Sequence, residues 1–307
     1  MSTRSANSLA PYLRLDQIGD ELSKHGEVEV YGHSVEGREL WTVEIGAGDD
    51  VVFVTAAIHG IEYIGVATAL EVLCQGSPDG VRLRICPVLN PDGYARTWER
   101  GGDAPVAALR KNSRGVDLNR NFPMPWGGRP SRMPGSGSGE PEAATYRGEA
   151  PLSEPETAAL VDLLQRTRPV ASANLHSFMG TLISPKVLHR PDWVRYSALA
   201  RAFRRGQGSG LGYPRLATPV FDVFTGELED YQHHVLGCWA MCVECFSLPE
   251  TFAQHLRAPT SFWRFNPRSP HEVAQRDARG VRSLLATAAA SERPPVRSGA
   301  SRSLPSW

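Results

Sequence analysis

The chain has 307 residues, with 33 basic and 33 acidic side chains and so no formal net charge when histidine is neutral. A balanced charge makes no field to hold a polyanion, which argues against nucleic acid or an anionic membrane as partner. No apolar run is long enough to cross a bilayer as a helix. With 41% hydrophobic and 21% charged residues, the composition is that of a single α/β domain large enough to bury a substantial core.

In chain order, residues 1–8 are expected to be a flexible lead-in, 9–290 a single folded domain and 291–307, rich in Ser, Arg and Pro, a disordered tail. Residues 1–9 contain no apolar core of a secretory signal, so the cytoplasm is the expected compartment. A helical pattern over 9–24 is followed by strands over 40–45 and 51–57, a helix over 62–74 and a strand over 81–88. Asn90-Pro91-Asp92-Gly93 reads as a turn, since Pro fixes φ and Gly accepts positive φ. Residues 124–145, rich in Gly, Pro and Ser, read as an exposed loop, either overhanging a cleft or a passive insertion. A helix over 154–166 opens on a capping box of Ser153 and Glu156, followed by a strand over 170–175, a helix over 192–205, a strand over 238–246 and a helix over 272–290. This alternation predicts an α/β fold, a mixed, largely parallel twisted sheet with helices on both sides. Ligands collect at the carboxyl ends of such strands, where His59, His176 and the loop after Val88 would converge.

His59-Gly60-Ile61-Glu62 carries a His and a Glu three residues apart directly after an apolar run, and Asn174-Leu175-His176-Ser177 offers a third donor. Two imidazoles and a carboxylate bind Zn²⁺ while leaving a position open, the arrangement of a catalytic zinc rather than a structural one. Taken alone the spacing is common, and both histidines also read as ordinary polar residues at strand ends. Between the two sets, the segment from Ala108 to Pro123 holds Arg110, Asp117, Asn119 and Arg120, a cluster suited to binding a carboxylate and stabilising an oxyanion. Glu244 lies inside the apolar run Cys238 to Phe246, where a carboxylate is costly unless something pairs with it; a general base facing metal-bound water is one such reason. There are five cysteines, an odd number, and Cys238, Cys242 and Cys245 read as small buried hydrophobes, with Cys242 and Cys245 on opposite strand faces. The pair His233-His234 has no third ligand at suitable spacing and reads as surface or loop.

The chain resembles the zinc carboxypeptidase family of the funnelin type over roughly residues 28–250. Seven motifs occur in the family's order: Tyr31 to Arg38, His59 to Glu62, Asn90 to Gly93, Asp117 to Phe122, Ser153 to Thr157, His176-Ser177 and Glu244. The resemblance implies one Zn²⁺ held by His59, Glu62 and His176, with Glu244 as the base for a zinc-bound water. It makes Arg110 the group that polarises the scissile carbonyl and gives Asn119 and Arg120 the substrate's free carboxylate. Asp117 would orient His59 through its second ring nitrogen. Phe221 falls where many members have a substrate-capping tyrosine, and Leu228 falls on the floor of the specificity pocket with Glu227 and Glu229 beside it.

The implied activity is hydrolysis of an amide bond next to a free carboxylate, by a zinc carboxypeptidase or amidase. The motif set is similar to the bacterial branch containing murein peptide amidases, which cut the γ-D-glutamyl to diaminopimelate bond of recycled cell-wall peptides. A carboxypeptidase of ordinary or biosynthetic peptides and an N-acyl-amino-acid hydrolase of aspartoacylase type are the enzyme alternatives. A non-catalytic peptide-binding protein is disfavoured because every ligand and the base are present.

Overall fold

The structure, a computed structural model, describes residues 9–125, 133, 135–187, 189–208, 212–216 and 224–296. Eight strands form one sheet: β1 (Val28–His33), β2 (Glu39–Gly46), β3 (Val51–Ala56), β4 (Arg82–Cys86), β5 (Ala171–Ser177), β6 (Thr181–Ile183), β7 (Arg215–Leu216) and β8 (Trp239–Cys245). Their order is β1-β2-β4-β3-β5-β8-β6-β7. The central run β4-β3-β5-β8 is parallel, as is β6 with β7, while β1 with β2, β2 with β4 and β6 with β8 are antiparallel. The helices are α1 (Leu15–Ser23), α2 (Tyr63–Gln75), α3 (Pro91–Glu99), α4 (Val106–Arg110), α5 (Pro155–Thr167), α6 (Arg190–Gln207), α7 (Leu228–Leu236), α8 (Leu248–Arg257), α9 (Phe262–Phe265) and α10 (Pro270–Ala289).

The mixed, largely parallel sheet expected from the alternation is present, and its two faces are unlike. All of β3, Val-Val-Phe-Val-Thr-Ala, is buried, as a central parallel strand requires. Val52, Val54 and Ala56 pack with α2, α6 and α10, whereas Val51 and Phe53 pack with α5 and α7. In β5 and β8 the first face takes Ala173, Leu175, Met241 and Val243. The alternate residues, Asn174, His176, Cys242 and Glu244, therefore turn toward α7. Asn174 is paired in register with Cys242, and His176 with Glu244.

Several local expectations give way to tertiary contacts. The first helix begins only at Leu15, because Pro11 and the buried Tyr12 form a turn ahead of it. Asn90-Pro91-Asp92-Gly93 does not end in a turn but starts α3: the Asn90 side chain accepts from Gly93 N at 2.9 Å, with Pro91 in the first turn. The capping box at α5 is absent. Glu154 is the N-cap residue without a side-chain cap, and Glu156 instead accepts from Val35 N at 3.1 Å and Asn112 Nδ2 at 3.3 Å. Those contacts tie α5 to the turn after β1, where Ser34, Glu36 N and Arg38 all donate to the buried carboxylate of Asp92. Of the expected tail, residues 291–296 lie against the domain, with Trp239 Nε1 donating to Glu292 O at 2.8 Å and Arg293 donating to Arg168 O at 2.7 Å. Residues 1–8 and 297–307 lie outside the described residues.

Candidate metal centre and active site

Beyond the carboxyl end of β3 the chain follows β4, with Leu89 N and Asn90 N donating to Ala56 O and Ala57 O at 3.0 Å each. His59-Gly60-Ile61-Glu62 then passes the start of α3 so closely that a Cβ on Gly60 would lie 2.2 Å from the Gly93 carbonyl carbon. Only glycine allows that approach. Glu62 is the N-cap residue of α2, and His176 is the next-to-last residue of β5. Three elements thus deliver three donors to one point.

Their atoms meet closely. His59 Nδ1 is 2.9 Å from Glu62 Oε1, His176 Nδ1 is 3.1 Å from Glu62 Oε2, and the two Nδ1 atoms are 3.2 Å apart. All three side chains are buried. His59 Nε2 faces Asp117 Oδ1 at 3.2 Å; Asp117 also accepts from Arg110 Nε at 2.8 Å and Asn119 N at 3.1 Å. With Nε2–H donated to Asp117, His59 Nδ1 presents a lone pair. Glu62 Oε2 is buried and, apart from the His176 ring nitrogen 3.1 Å away, has no hydrogen-bond partner. Two facing imidazole nitrogens and a buried carboxylate oxygen fit a cation, and tetrahedral Zn²⁺ with Zn–N near 2.0–2.1 Å would separate its nitrogen ligands by about 3.3 Å. The residues present therefore fit zinc.

The electrostatics agree. Burial alone would raise the Glu62 carboxyl, but His59 and His176 pull it down to about 2. Burial would lower His176, and Glu62 with further carboxylates pushes it up to about 9. Asp117, which burial would raise, is held well below the usual carboxylate range by Arg110 and His59. Glu244 is raised, first by burial and then by Glu62, against the opposing pull of His176 and His59.

His59, His176 and Glu244 line a cleft of about 380 Å³ together with Arg110, Asn119 and Arg120. The structure brings together all of the residues expected at the metal, as base and as carboxylate clamp. Asn119 Oδ1 accepts from Leu228 N at 3.0 Å, leaving the side-chain NH₂ as its donor to the cleft. Arg120 donates to Asn119 O at 2.5 Å, lies 3.4 Å from Glu227 Oε1 and stacks over Phe224 at 4.6 Å, yet its buried Nε has no partner. An acceptor supplied by a ligand would satisfy it.

Two site expectations, those for Leu228 and for the His233-His234 pair, need revision. Leu228 does not floor the cleft: it is 1% exposed and packs with Leu118, Phe122 and Tyr231, while its neighbours Glu227 and Glu229 face the cleft. Consecutive residues at the start of α7 point about 100° apart, so a one-residue shift exchanges core for cleft. Phe221 lies outside the described residues. His233 and His234 are buried, not on the surface: His233 Nδ1 meets the Tyr196 hydroxyl at 2.9 Å, and His234 Nε2 meets Lys186 O at 2.9 Å. Glu229, expected beside the pocket, is 3% exposed and accepts from Asn174 Nδ2 at 3.0 Å. One contributor was not foreseen. Cys242 lines the cleft two residues before Glu244, a placement that strand alternation already implies. The described part of the loop over 124–145 flanks the cleft through Thr145 and through Ser136 O, which accepts from Thr225 N at 2.9 Å.

The sequence profile described as Zinc carboxypeptidase matches residues 14–252. The chain belongs to the zinc carboxypeptidase family, a family of hydrolases. Within it, murein peptide amidase A of Escherichia coli (strain K12) is 31% identical over 188 residues, covering 60% of this chain and 71% of the amidase. A zinc carboxypeptidase of Simulium vittatum is 31% identical over 194 residues, covering 57% of this chain and 61% of that protein. Bovine thrombin-activatable fibrinolysis inhibitor, solved with tick carboxypeptidase inhibitor, shares the fold with a TM-score of 0.72 at 21% identity, covering 93% of this chain and 99% of that one. Among the described residues no helix is long and apolar enough to cross a membrane.

Proposed function

We propose that this zinc carboxypeptidase family member hydrolyses the amide bond beside a free carboxylate, with Zn²⁺ at His59, Glu62 and His176. The observation that carries the reading is the convergence of those three donors, with Glu244 and the unsatisfied Arg120 Nε, on one cleft. Zinc bound there supplies Lewis acidity toward the carbonyl and lowers the pKa of water. The Glu244 carboxylate takes a proton from the attacking water and returns it to the leaving amine nitrogen. The Arg110 guanidinium, braced at Nε by Asp117, donates to the carbonyl oxygen as charge builds there, a contact typically worth about 3–4 kcal/mol per donor. Asn119 Nδ2 and the Arg120 guanidinium hold the substrate carboxylate. Asp117 keeps the proton of His59 on Nε2.

For the substrate, we propose a murein-type peptide ending in diaminopimelate. The reading is supported by the 31% identity to murein peptide amidase A and by Glu227 and Glu229, whose carboxylates suit the ammonium of a diaminopimelate side chain. All five cysteines are free thiols, in keeping with a reducing compartment such as the cytoplasm. The test incubates zinc-loaded protein, with Glu244→Gln as control, against L-alanyl-γ-D-glutamyl-diaminopimelate, α-linked peptides with free carboxyl ends and N-acyl amino acids, reading products by mass spectrometry. Diaminopimelate released by the wild type alone is the expected result. Loss of an α-linked terminal residue instead would move the assignment to a general carboxypeptidase, and an untouched panel with zinc bound would overturn the hydrolytic reading for these classes.

A further inference from the structure

At the far end of α2 from Glu62, a second donor set stands apart from the cleft. Cys74, in the last turn of α2, is exposed, and its Sγ lies 3.8 Å from His25 Nε2. Glu21, in the last turn of α1, completes the group: one donor atom from each of Glu21, His25 and Cys74 falls within 4.8 Å of the others. We propose that Glu21, His25 and Cys74 form a second metal site for a soft divalent cation of the Zn²⁺ or Cd²⁺ type, separate from the catalytic centre.

The chemistry and the spacing both point there. Thiolate and imidazole prefer such ions to Mg²⁺ or Ca²⁺. Tetrahedral Zn²⁺, with Zn–S near 2.3 Å and Zn–N near 2.0–2.1 Å, sets sulfur and nitrogen about 3.6 Å apart, close to the separation already present. The donors come from two segments distant in sequence, so a bound ion would bridge the end of α1 to the end of α2. Binding displaces the thiol proton, which burial and the carboxylates of Glu71 and Glu21 hold on the sulfur by raising the Cys74 thiol, with Lys24 opposing them only in part; a cation bound among the three donors supplies the charge that releases it. Glu21 and Cys74 also border a cavity of about 470 Å³ walled by Tyr12, Tyr63 and Leu70, which leaves space for water or a small anion as a fourth ligand. Twelve residues of rise along α2 put the two sites about 18 Å apart, at opposite ends of one helix.

Sulfur separates the two sites spectroscopically, because His59, Glu62 and His176 hold none. Metal-free, fully reduced protein is titrated with Co²⁺ while sulfur-to-cobalt charge transfer in the near ultraviolet is followed. Cys74→Ser, His25→Ala and Cys242→Ser are run in parallel; Cys242 is the control because it too lies near a histidine and a glutamate, His176 and Glu229. The expected result is two Co²⁺ per wild-type chain, with the charge-transfer band growing at the weaker equivalent. Cys74→Ser should bind one Co²⁺ without the band, His25→Ala should need at least tenfold more Co²⁺ to develop it, and Cys242→Ser should match the wild type. A wild type with no band at saturation, or a band that survives in Cys74→Ser, overturns the proposal.

Discussion

Asp117→Asn separates an orienting role for this residue from a purely structural one. The wild-type carboxylate accepts three hydrogen bonds, from His59 Nε2 and Asn119 N on Oδ1 and from Arg110 Nε on Oδ2. Asparagine cannot reproduce the set: in one flip its NH₂ confronts the Arg110 donor, in the other it confronts two donors at once. In that second flip His59 can keep a hydrogen bond only by moving its proton to Nδ1, the atom that faces Glu62. Loss of such an orienting contact to a metal ligand typically costs about 10- to 100-fold in metal affinity, or about 1.4–2.8 kcal/mol. The metal-free protein also suffers, because Arg110 loses a fully buried counter-ion; breaking a buried pair costs about 3–5 kcal/mol, and the 21% exposure of the Arg110 side chain places the loss toward the lower end. Zinc affinity is measured by competition with a chromophoric chelator, and stability by denaturant unfolding in a chelator. Weakened zinc binding together with reduced metal-free stability is the expected pair of outcomes. Reduced stability with unchanged zinc affinity would refute the orienting role and leave Asp117 as a counter-ion to Arg110.

Glu244→Gln should retain zinc and lower kcat by roughly 10²- to 10⁴-fold, with metal content and turnover measured on the same sample. Leu228→Ala should lose about 2–5 kcal/mol in denaturant unfolding with little change in KM, the pattern of a core residue; a large KM effect at unchanged stability would return Leu228 to the cleft. Gly60→Ala should impair metal uptake, because its Cβ meets the backbone of Gly93 rather than a side chain that can swing aside. Asp277, buried against Tyr213, Gln207 and Arg276, has its carboxyl raised by burial despite those partners. Its stabilising contribution is therefore fully present below its unfolded value of about 3.9 and is lost as pH rises through the higher folded value. Asp277→Asn should flatten that segment of the stability profile, as followed by unfolding across pH.

The central architecture is legible because its rules are local. The apolar runs of β3 and β8 announce buried strands, and the capless but strongly patterned α5, α6 and α10 appear within a few residues of their expected bounds. The metal donors are legible because two histidines, a glutamate and their neighbours are chemically specific. The short strands β6 and β7, with three and two residues, carry too little periodicity to register, and exist through pairing with β8 and with each other. Helix α7 was hidden because its buried face is polar: Glu229, Gln232, His233 and His234 are satisfied by Asn174, Ser172, Tyr196 and the Lys186 carbonyl, none of which is near in sequence. Without α7, the choice between Leu228 and Glu229 had no geometric basis. The Asn90-Pro91-Asp92-Gly93 and Ser153 to Glu156 motifs, which read locally as a turn and a capping box, prove to buttress the ground behind the site through Asp92, Glu154 and Glu156.

The register between β5 and β8 gives the molecule a check on its own assembly. His176 and Glu244 are opposite one another only when β8 has docked in parallel on β5, and His176 reaches His59 and Glu62 only when β5 has docked on β3. An incompletely folded chain therefore offers a two-donor fragment from 59–62, too poor in ligands to retain zinc against a chelator. Tight metal retention would thus serve as an assay of sheet closure, reporting that segments more than a hundred residues apart have found their places.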